Sequence, residues 1–381
     1  MNLALFFTRG ISLKHWVDSG LFYREKIIYE NLILQTNIRK VYWFTYGSND
    51  SEIAENLKKK GLLNTNIKVF CPPKFLNEGK ILSLIYSVLV PFIFLKKIKK
   101  CKVLMTNQID GWWSAFISSL LLKKKFILRS GYIQSQLESN LNRVSKTRLK
   151  LIYLSERLAI HFADHIIVAS NHNKKYLRNL NNKIVEKISI IPNFVDREKF
   201  KSNNDIISRI YKDRILYVGR LSSEKNLYSL IKSIKKTGFG LDIYGGGDIK
   251  EELYSLKKNI NSDVEFFGKI PNNSLPEVYN KYQFYIIPSF FEGMPKTLIE
   301  AMSCGCISIG SNVEGISQLI NNGENGLLIS SFSVDDICQT LNKLKFIDDN
   351  KKRKLSARAE SDINNNYSLD FVLKKYEHIL I

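Results

Sequence analysis

Two cations stand just behind an apolar run in Ile215-Leu-Tyr-Val-Gly-Arg-Leu-Ser-Ser-Glu-Lys-Asn226. Arg220 and Lys225 follow the turn at Gly219. Cations at the end of a buried strand suit a diphosphate, because a guanidinium forks onto two oxygens while an ammonium acts as a point charge. A surface ion pair with Glu224 fits the same spacing, so both readings stand. Downstream, Tyr244-Gly-Gly-Gly-Asp248 places Gly245 and Gly247 in a turn that lets backbone approach a ligand, although ordinary turn chemistry explains it equally well. The sharpest stretch is Ser289-Phe-Phe-Glu-Gly-Met-Pro-Lys-Thr-Leu-Ile-Glu-Ala-Met-Ser303. It leaves an apolar run, turns at Gly293 and starts a helix near Pro295, a favoured first-turn residue. N–H groups at a helix start, with the dipole behind them, form a ready site for phosphate. Glu292 lies in the turn and Glu300 on the body of the helix. So placed, they do not form a close acid–base pair. They are acceptors for sugar or ribose hydroxyls, or else Glu292 caps the helix and Glu300 sits in a buried ion pair.

Other residues offer less. His161 and His165 are four apart, but a helix-to-strand boundary falls between them and no third ligand is evident, which favours structural histidines. Trp112 and Trp113 open a helix, where a ring either stacks on a sugar or packs in the core. Cys304 and Cys306 lead into a buried strand and read as packing.

Positioning these residues requires short apolar runs that alternate with helical patterns, the mark of βα units on parallel sheets. Strands are expected at 2–7, 41–45, 67–70, 103–106, 126–128, 165–169 and 188–191. A second series is expected at 215–218, 240–244, 264–268, 284–287, 306–310 and 326–329. Helices fit between them, among them Tyr23–Gln35, Gly111–Lys123, Asn226–Lys235 and Lys296–Ser303. The polar stretch Asn193–Asp213 reads as an inter-domain linker. The expected fold class is therefore α/β, with two Rossmann-like doubly wound domains facing across a cleft. The first spans 1–195, with a terminal helix 365–381 crossing back to it, and the second spans 205–364. In such sheets ligands bind beyond the carboxyl ends of the strands. There the first half offers Thr8-Arg-Gly10, Asn107-Gln108 and Arg129-Ser-Gly131, and the second offers Gly219, Gly245, Lys269 and the Ser289 turn.

A chain of 381 residues is long enough for about two domains. Its 44% apolar and 24% charged content excludes wholesale disorder and a membrane bundle. Five scattered cysteines form no disulfide framework, and the start lacks the basic region and cleavage site of a signal peptide. A cytoplasmic chain is expected. The net charge of +21 is unevenly placed: residues 1–200 hold 33 Lys and Arg against 14 Asp and Glu, while residues 201–381 hold 24 against 22. That asymmetry points the first half at a polyanion, namely anionic lipid, a pyrophosphate-bearing substrate or nucleic acid, or else serves solubility alone. The run Ile81–Leu95 is nearly all apolar, but at 15 residues with Pro91 inside it is short of the roughly 20 a span needs. It reads first as a buried helix and second, with Lys96, Lys97, Lys99 and Lys100 behind it, as an interfacial anchor. Further basic clusters stand at Lys123–Lys125 and Arg143–Lys150.

The motifs have a family resemblance. Val218-Gly-Arg-Leu221 with Glu224-Lys-Asn226, then Ile243-Tyr-Gly-Gly-Gly247, then Glu292-Gly-Met-Pro-Lys-Thr-Leu-Ile-Glu300 resembles glycosyltransferase family 4 in order and spacing. The likeness is strong over 210–330. Before that it is weaker but coherent, at Thr8–Leu13, Ile190–Asn193 and Val195-Asp196. It implies the GT-B fold and a retaining, metal-independent transfer, with a nucleoside-diphosphate sugar as the donor and no further cofactor. On the matching positions it implies Arg220 and Lys225 on the donor diphosphate and Glu292 beside the sugar ring. Gly10, Gly219, Gly245, Gly247, Gly293, Met294 and Lys296 fall on the donor side, with Thr297 and Leu298 offering N–H groups to the diphosphate. Lys269 and Ile270 lie against the base, and Glu300 takes the ribose hydroxyls. Two departures stand out. Asn107-Gln108 and Arg129-Ser-Gly131 occupy strand ends where many members carry a histidine, and Pro295 replaces a frequent glycine and has no N–H to give.

The leading expectation is transfer to a glycan or lipid-linked acceptor in the assembly of a surface polysaccharide, at the inner face of a membrane. A GT-B sugar-nucleotide epimerase would need further acid–base residues. A phosphorylase would need a pyridoxal-bearing lysine, and neither signature is present. A basic nucleic-acid-binding protein is disfavoured because no recognised module accompanies the charge, so nucleic acid is not expected as a partner.

Overall fold

The computed structural model describes residues 1–76, 79–141, 144–180 and 182–380. The chain divides into two compact units: Met1–Ile191 with Leu373–Ile381, and Pro192–Val372. Of these bounds Ile381, which also ends the expected terminal helix, lies outside the described residues.

The first unit holds β1 (Asn2–Phe6), β2 (Lys40–Phe44), β3 (Ile67–Phe70), β4 (Val103–Thr106), β5 (Lys125–Ser130), β6 (His165–Val168) and β7 (Ile188–Ile190). They form one sheet in the order β3-β2-β1-β4-β5-β6-β7. Every pairing is parallel; Leu3, for example, stands opposite Val41 on one side and Val103 on the other. Helices cover such sheets on both faces, so the strands are continuous apolar runs rather than alternating ones. Leu3, Leu5, Leu104 and Leu128 are accordingly buried. The second unit repeats the plan with β8 (Tyr211–Val218), β9 (Gly240–Tyr244), β10 (Val264–Gly268), β11 (Tyr282–Ile287), β12 (Ile307–Ser311) and β13 (Gly326–Ile329). Their order is β10-β9-β8-β11-β12-β13, again all parallel. Both sheets thus reverse their strand order once, between β1 and β4 and between β8 and β11. A crevice opens at the carboxyl ends of such a pair, because the flanking connections leave in opposite directions.

Every strand of the two expected series is present, with ends shifted by up to four residues. The four expected helices run Phe22–Gln35, Trp112–Leu122, Leu227–Thr237 and Lys296–Ser303. Two expectations are corrected. The stretch Asn193–Asp213 is no loose linker: it belongs to the second unit and buries Phe200, Ile206 and Arg209. Arg209 is 1% exposed and straps loop to sheet, donating to the Tyr282 carbonyl at 2.8 Å, Ser202 Oγ at 3.3 Å and the Cys304 carbonyl. A charged side chain here does the work of a core residue, which is why polarity misled.

The second correction concerns the run read as a buried helix. It forms the helix Lys80–Ile93, and only one flank is covered, by Tyr86, Ser87 and Val90. Ile81 is 76% and Phe92 55% exposed, and Leu84, Ile85 and Val88 are also open to solvent. Apolarity all round predicts burial, but what covers this flank is chiefly the neighbouring helix Trp112–Leu122, with the Tyr46 ring against Tyr86. Pro91 fixes that contact. Lacking an N–H, it frees the carbonyl four residues back, and Ser114 Oγ from the neighbour donates to that Ser87 carbonyl. Trp113 Nε1 adds a bond to Ser87 Oγ at 2.7 Å. Among the described residues no helix is long and apolar enough to cross a membrane.

The last helix, Leu369–Leu380, places its final turns on the first unit. Lys125 Nζ donates to the Ile379 carbonyl at 2.7 Å, and Lys375 Nζ to that of Ile190 at 3.2 Å. Arg129 Nε donates to Tyr376 Oη at 2.9 Å.

Candidate active site

The switch point of the second sheet lies between β8 and β11, so its lining is set by the two loops that leave those strands. After β8 the chain makes the turn Gly219–Ser222 and a short 3-10 turn at Ser223–Lys225, then enters the helix Leu227–Thr237 through Asn226, at φ 54°. After β11 it runs through Ser289 to Pro295 and enters the helix Lys296–Ser303. The loops are tied by the Phe290 N–H, which donates to the Glu224 carbonyl at 2.8 Å.

The side chains close the same gap. Lys225 Nζ meets Glu292 Oε1 at 2.6 Å, and Ser289 Oγ donates to that oxygen at 2.7 Å. Both charged groups are largely enclosed. Glu292 is thereby spoken for by the loop and not by the helix cap that spacing alone allowed. Arg220 does make the ion pair expected with Glu224, at 3.6 Å, yet its side chain is 74% exposed. A guanidinium has five donors in a fork, so one carboxylate at that distance leaves most of them directed at solvent. Glu224 itself is buried. Burial opposes its charge, but the Ser222 hydroxyl, its own backbone N–H and the cations Lys225 and Arg220 outweigh that and hold it below the usual carboxylate range.

The glycines serve the packing of loop on loop. A Cβ on Gly245 would fall 1.8 Å from the Gly219 carbonyl oxygen, and one on Gly247 would fall 2.1 Å from that of Leu221. The Leu221 N–H donates to the Gly246 carbonyl at 3.1 Å, so the two turns are joined backbone to backbone. The Lys269 stem lies over Gly246, where a Cβ would come within 2.8 Å of its Cε. Ile270 follows, half-buried. Gly315, which spacing did not single out, is equally constrained: a Cβ there would meet the Glu292 carbonyl oxygen at 2.1 Å.

The helix Lys296–Ser303 starts without a side-chain cap. Its N–H of Ile299 bonds the Pro295 carbonyl at 3.3 Å, so the N–H groups of Thr297 and Leu298 precede the intrahelical ladder and stand at its positive end. Met294 is buried, and its carbonyl accepts from Asn193 Nδ2 at 2.7 Å. Gly293 and Lys296 flank it, half-buried. Thr297 Oγ1 accepts from Tyr285 Oη at 2.8 Å. Glu300 is buried, with Asn272 Nδ2 at 3.0 Å from Oε1 and Tyr279 Oη at 3.2 Å from Oε2. Burial pushes the Tyr279 and Tyr285 phenols up, which keeps them neutral donors. Asn272, Tyr279 and Tyr285 were not singled out by the sequence: Tyr285 falls inside an expected strand, and no motif marks the other two.

Gly10 lies in the first unit, after β1, at φ 76°. There the switch point between β1 and β4 is bridged by Arg9, whose Nε and Nη2 donate to the two Asp110 oxygens at 3.1 and 3.2 Å. At the neighbouring strand ends Arg129 Nη1 donates to Asn107 Oδ1 at 2.9 Å, and the Gly131 N–H to Gln108 Oε1 at 2.8 Å. The remaining candidates are structural. Trp112 stacks on Phe162 and donates to Ser155 Oγ at 3.1 Å. His165 lies 3.0 Å from Ser189 Oγ, with burial lowering its pKa, while His161 ends a helix, exposed. Cys304 and Cys306 are buried free thiols. Among the described residues no group of three or more His, Cys, Asp or Glu is placed to hold a metal.

Known proteins resemble this chain in sequence and in fold. The chain is 25% identical over 301 residues to an uncharacterized glycosyltransferase of Methanocaldococcus jannaschii, which covers 73% of this chain and 76% of that protein. It is 27% identical to the amylovoran biosynthesis glycosyltransferase AmsD of Erwinia amylovora, over 69% of this chain and 74% of the relative. It is 29% identical to the UDP-Gal:alpha-D-GlcNAc-diphosphoundecaprenol alpha-1,3-galactosyltransferase of Escherichia coli, over 48% of this chain and 51% of that enzyme. Among solved structures, Anabaena HepE in complex with UDP and glucose superposes with a TM-score of 0.77 at 16% identity, over 100% of this chain and 99% of that one. The sucrose-phosphate synthase of Thermosynechococcus elongatus gives 0.78 at 17%, over 100% and 98%. These likenesses show the fold, two parallel-sheet Rossmann-like domains of the GT-B class. Residues 200–362, nearly all of the second unit, match the family described as Glycosyl transferases group 1.

Proposed function

We propose that the protein is a retaining, metal-independent glycosyltransferase that moves a sugar from a nucleoside-diphosphate donor to a glycan or lipid-linked acceptor in the assembly of a surface polysaccharide. The observation that carries this reading is the arrangement at the β8/β11 switch point: Arg220 open to solvent, Lys225 held by Glu292, and the start of the helix at Lys296 beside them. Three sources of positive potential converge there on the place where a parallel sheet receives its ligand.

The chemistry asks for this. The bond from the sugar's anomeric carbon to the diphosphate breaks, a bond to the acceptor oxygen forms on the same face, and the acceptor proton passes to an oxygen of the leaving phosphate. Charge grows on that phosphate as the bond breaks, and preorganised cations and N–H groups aimed at growing charge supply a large share of catalysis. Arg220 and Lys225, with the N–H groups of Thr297 and Leu298, take this role. Glu292 orients Lys225 and faces the sugar, with Gly219, Gly293, Met294 and Lys296 around it. Glu300 takes the ribose hydroxyls, and Lys269 and Ile270 flank the base over the turn Gly245–Gly247. A relative that acts on a diphosphoundecaprenol-linked sugar and another named for amylovoran biosynthesis support the choice of acceptor class.

The test is a panel of sugar nucleotides with lipid-linked and free glycan acceptors, the product's anomeric configuration being read by NMR, with and without chelator. An inverted product, or activity abolished by chelator, overturns the corresponding part of the reading. Absence of transfer or donor hydrolysis with every nucleotide overturns the whole.

A further inference from the structure

We infer that the first unit docks on an anionic bilayer through one face built from three adjacent helices, Lys80–Ile93, Trp112–Leu122 and Lys146–Phe162. The middle helix is fastened to both neighbours. Trp113 and Ser114 bond Ser87 of the first, while Trp112 bonds Ser155 and stacks on Phe162 of the third. Phe116 also stacks on Phe162, with ring centroids 4.4 Å apart. The three therefore move as one slab.

What the slab turns outward is apolar. On the first helix Ile81, Leu84, Ile85, Val88 and Phe92 are exposed at spacings of three and four, a continuous stripe along one side. On the third, Leu151, Leu154 and Leu158 are exposed in the same rhythm, with Leu151 at 63%, and Phe162 prolongs the stripe. Leu120 and Leu121 are open at the end of the middle helix. Soluble monomers rarely leave contiguous apolar patches beyond a few hundred Å² uncovered. This one is also the apolar face of helices too short to span a bilayer, so a position in the interface plane is what remains for it.

The charge around it selects the occupant. None of the three helices carries an exposed acid, since their one carboxylate, Glu156, is buried. Cations ring them: Lys96, Lys97, Lys99 and Lys100 behind the first, Lys123 behind the second, and Lys146, Arg148, Lys150 and Arg157 on the third, all exposed. Arg143, which begins the last cluster in the sequence, lies outside the described residues. Protein interfaces are depleted in lysine, and a nucleic acid offers no partner for a leucine-rich centre. Anionic headgroups over an acyl layer match both parts at once, because lysine stems reach along apolar surface while their ammonium groups stay at the headgroups. Docking of this kind is independent of the reaction proposed above and is measured without donor or acceptor.

The test is co-sedimentation of the full chain with vesicles of phosphatidylglycerol and phosphatidylcholine, against pure phosphatidylcholine, at low and high salt. Each exposed lysine near such a surface contributes about a fivefold factor. Replacing Lys96, Lys97, Lys99 and Lys100 by glutamine is expected to weaken binding to the anionic vesicles on the order of a hundredfold or more. The triple variant Ile81→Ser, Ile85→Ser, Phe92→Ser is expected to weaken it comparably and to leave binding that remains more salt-sensitive. Thermal unfolding of both variants checks that the fold is kept. No binding by the wild type, or salt-independent binding that neither variant changes, overturns the assignment. So does a wild-type dimer that the serine variant dissociates without any vesicle binding, since a second copy then covers the face.

Discussion

The two units share a strand order and a switch point, and at each switch point a cation from one loop meets a carboxylate from the other. Arg9 grips Asp110 with two bonds in the first unit, whereas Lys225 touches Glu292 with one in the second. The difference is in what surrounds the pair. Beside Lys225 stand the exposed fork of Arg220 and an uncapped helix start, so positive potential gathers at one point. Beside Arg9 the strand-end polar groups bond each other, as Arg129 does with Asn107 and Gly131 with Gln108. The outer surfaces differ as strongly. Among the described residues, nineteen exposed large apolar side chains fall in the first unit and six in the second. Charge divides the same way, with a balance of +19 in residues 1–200 against +2 in the remainder. One doubly wound fold thus presents two kinds of surface: a polar, cation-rich cluster at the carboxyl edge of one sheet, and an apolar face rimmed by lysines over helices of the other.

Four substitutions test that division. The largest effect is expected for Lys225→Ala, which removes a cation from the growing diphosphate charge and should lower turnover on the order of 10²-fold or more, with some fall in the thermal midpoint because the enclosed Glu292 loses its cation. If transfer assays show wild-type turnover, the second switch point is not where the chemistry occurs. Gly245→Ala should come next. Its Cβ has no room beside the Gly219 carbonyl, so the two turns must part, and a loss of about 2–4 kcal/mol is expected in denaturant unfolding. Donor binding should fall with it, and an alanine that costs nothing would show that the glycine is there for a ligand and not for loop packing.

Glu300→Gln is milder. It keeps the shape but weakens a charged acceptor, so calorimetry should show nucleoside diphosphate binding reduced about tenfold. Equal affinity in the variant would remove Glu300 from the ribose and leave it as the anchor of Asn272 and Tyr279. The smallest effect is expected in the first unit, from Tyr376→Phe. The phenol accepts one bond from Arg129, whose other donors keep Asn107, and a loss of about 1–2 kcal/mol is expected in thermal unfolding with donor affinity unchanged. A large fall in donor affinity would mean that this seam does more than hold the last helix to the first unit.

Most of the architecture was legible in the residues. Buried parallel strands such as Val103 to Met105 and Phe284 to Ile287 need apolar side chains on both faces, and the runs they leave in a sequence are hard to mistake. Arg220, Lys225, Glu292 and Glu300 could be singled out as candidates, since loops after strands and a helix start fix where polar groups can gather before any packing is known. What spacing left open was the partner of each charge. It allowed Glu292 as a helix cap and Arg220 in a surface pair; the packing of the β8 loop against the β11 loop instead set Lys225 2.6 Å from Glu292, while Arg220 does pair with Glu224 and stays largely exposed. Composition misplaced two segments for one reason. Asn193–Asp213 reads as a linker and Ile81–Leu95 as a buried helix, yet Arg209 of the first is buried and much of the second is exposed. Side-chain polarity states what a residue gains by burial. Whether anything comes to cover it depends on neighbours distant in sequence, here the carbonyls of Tyr282 and Cys304 for Arg209, and the helix Trp112–Leu122 with Tyr46 for one flank of the apolar run.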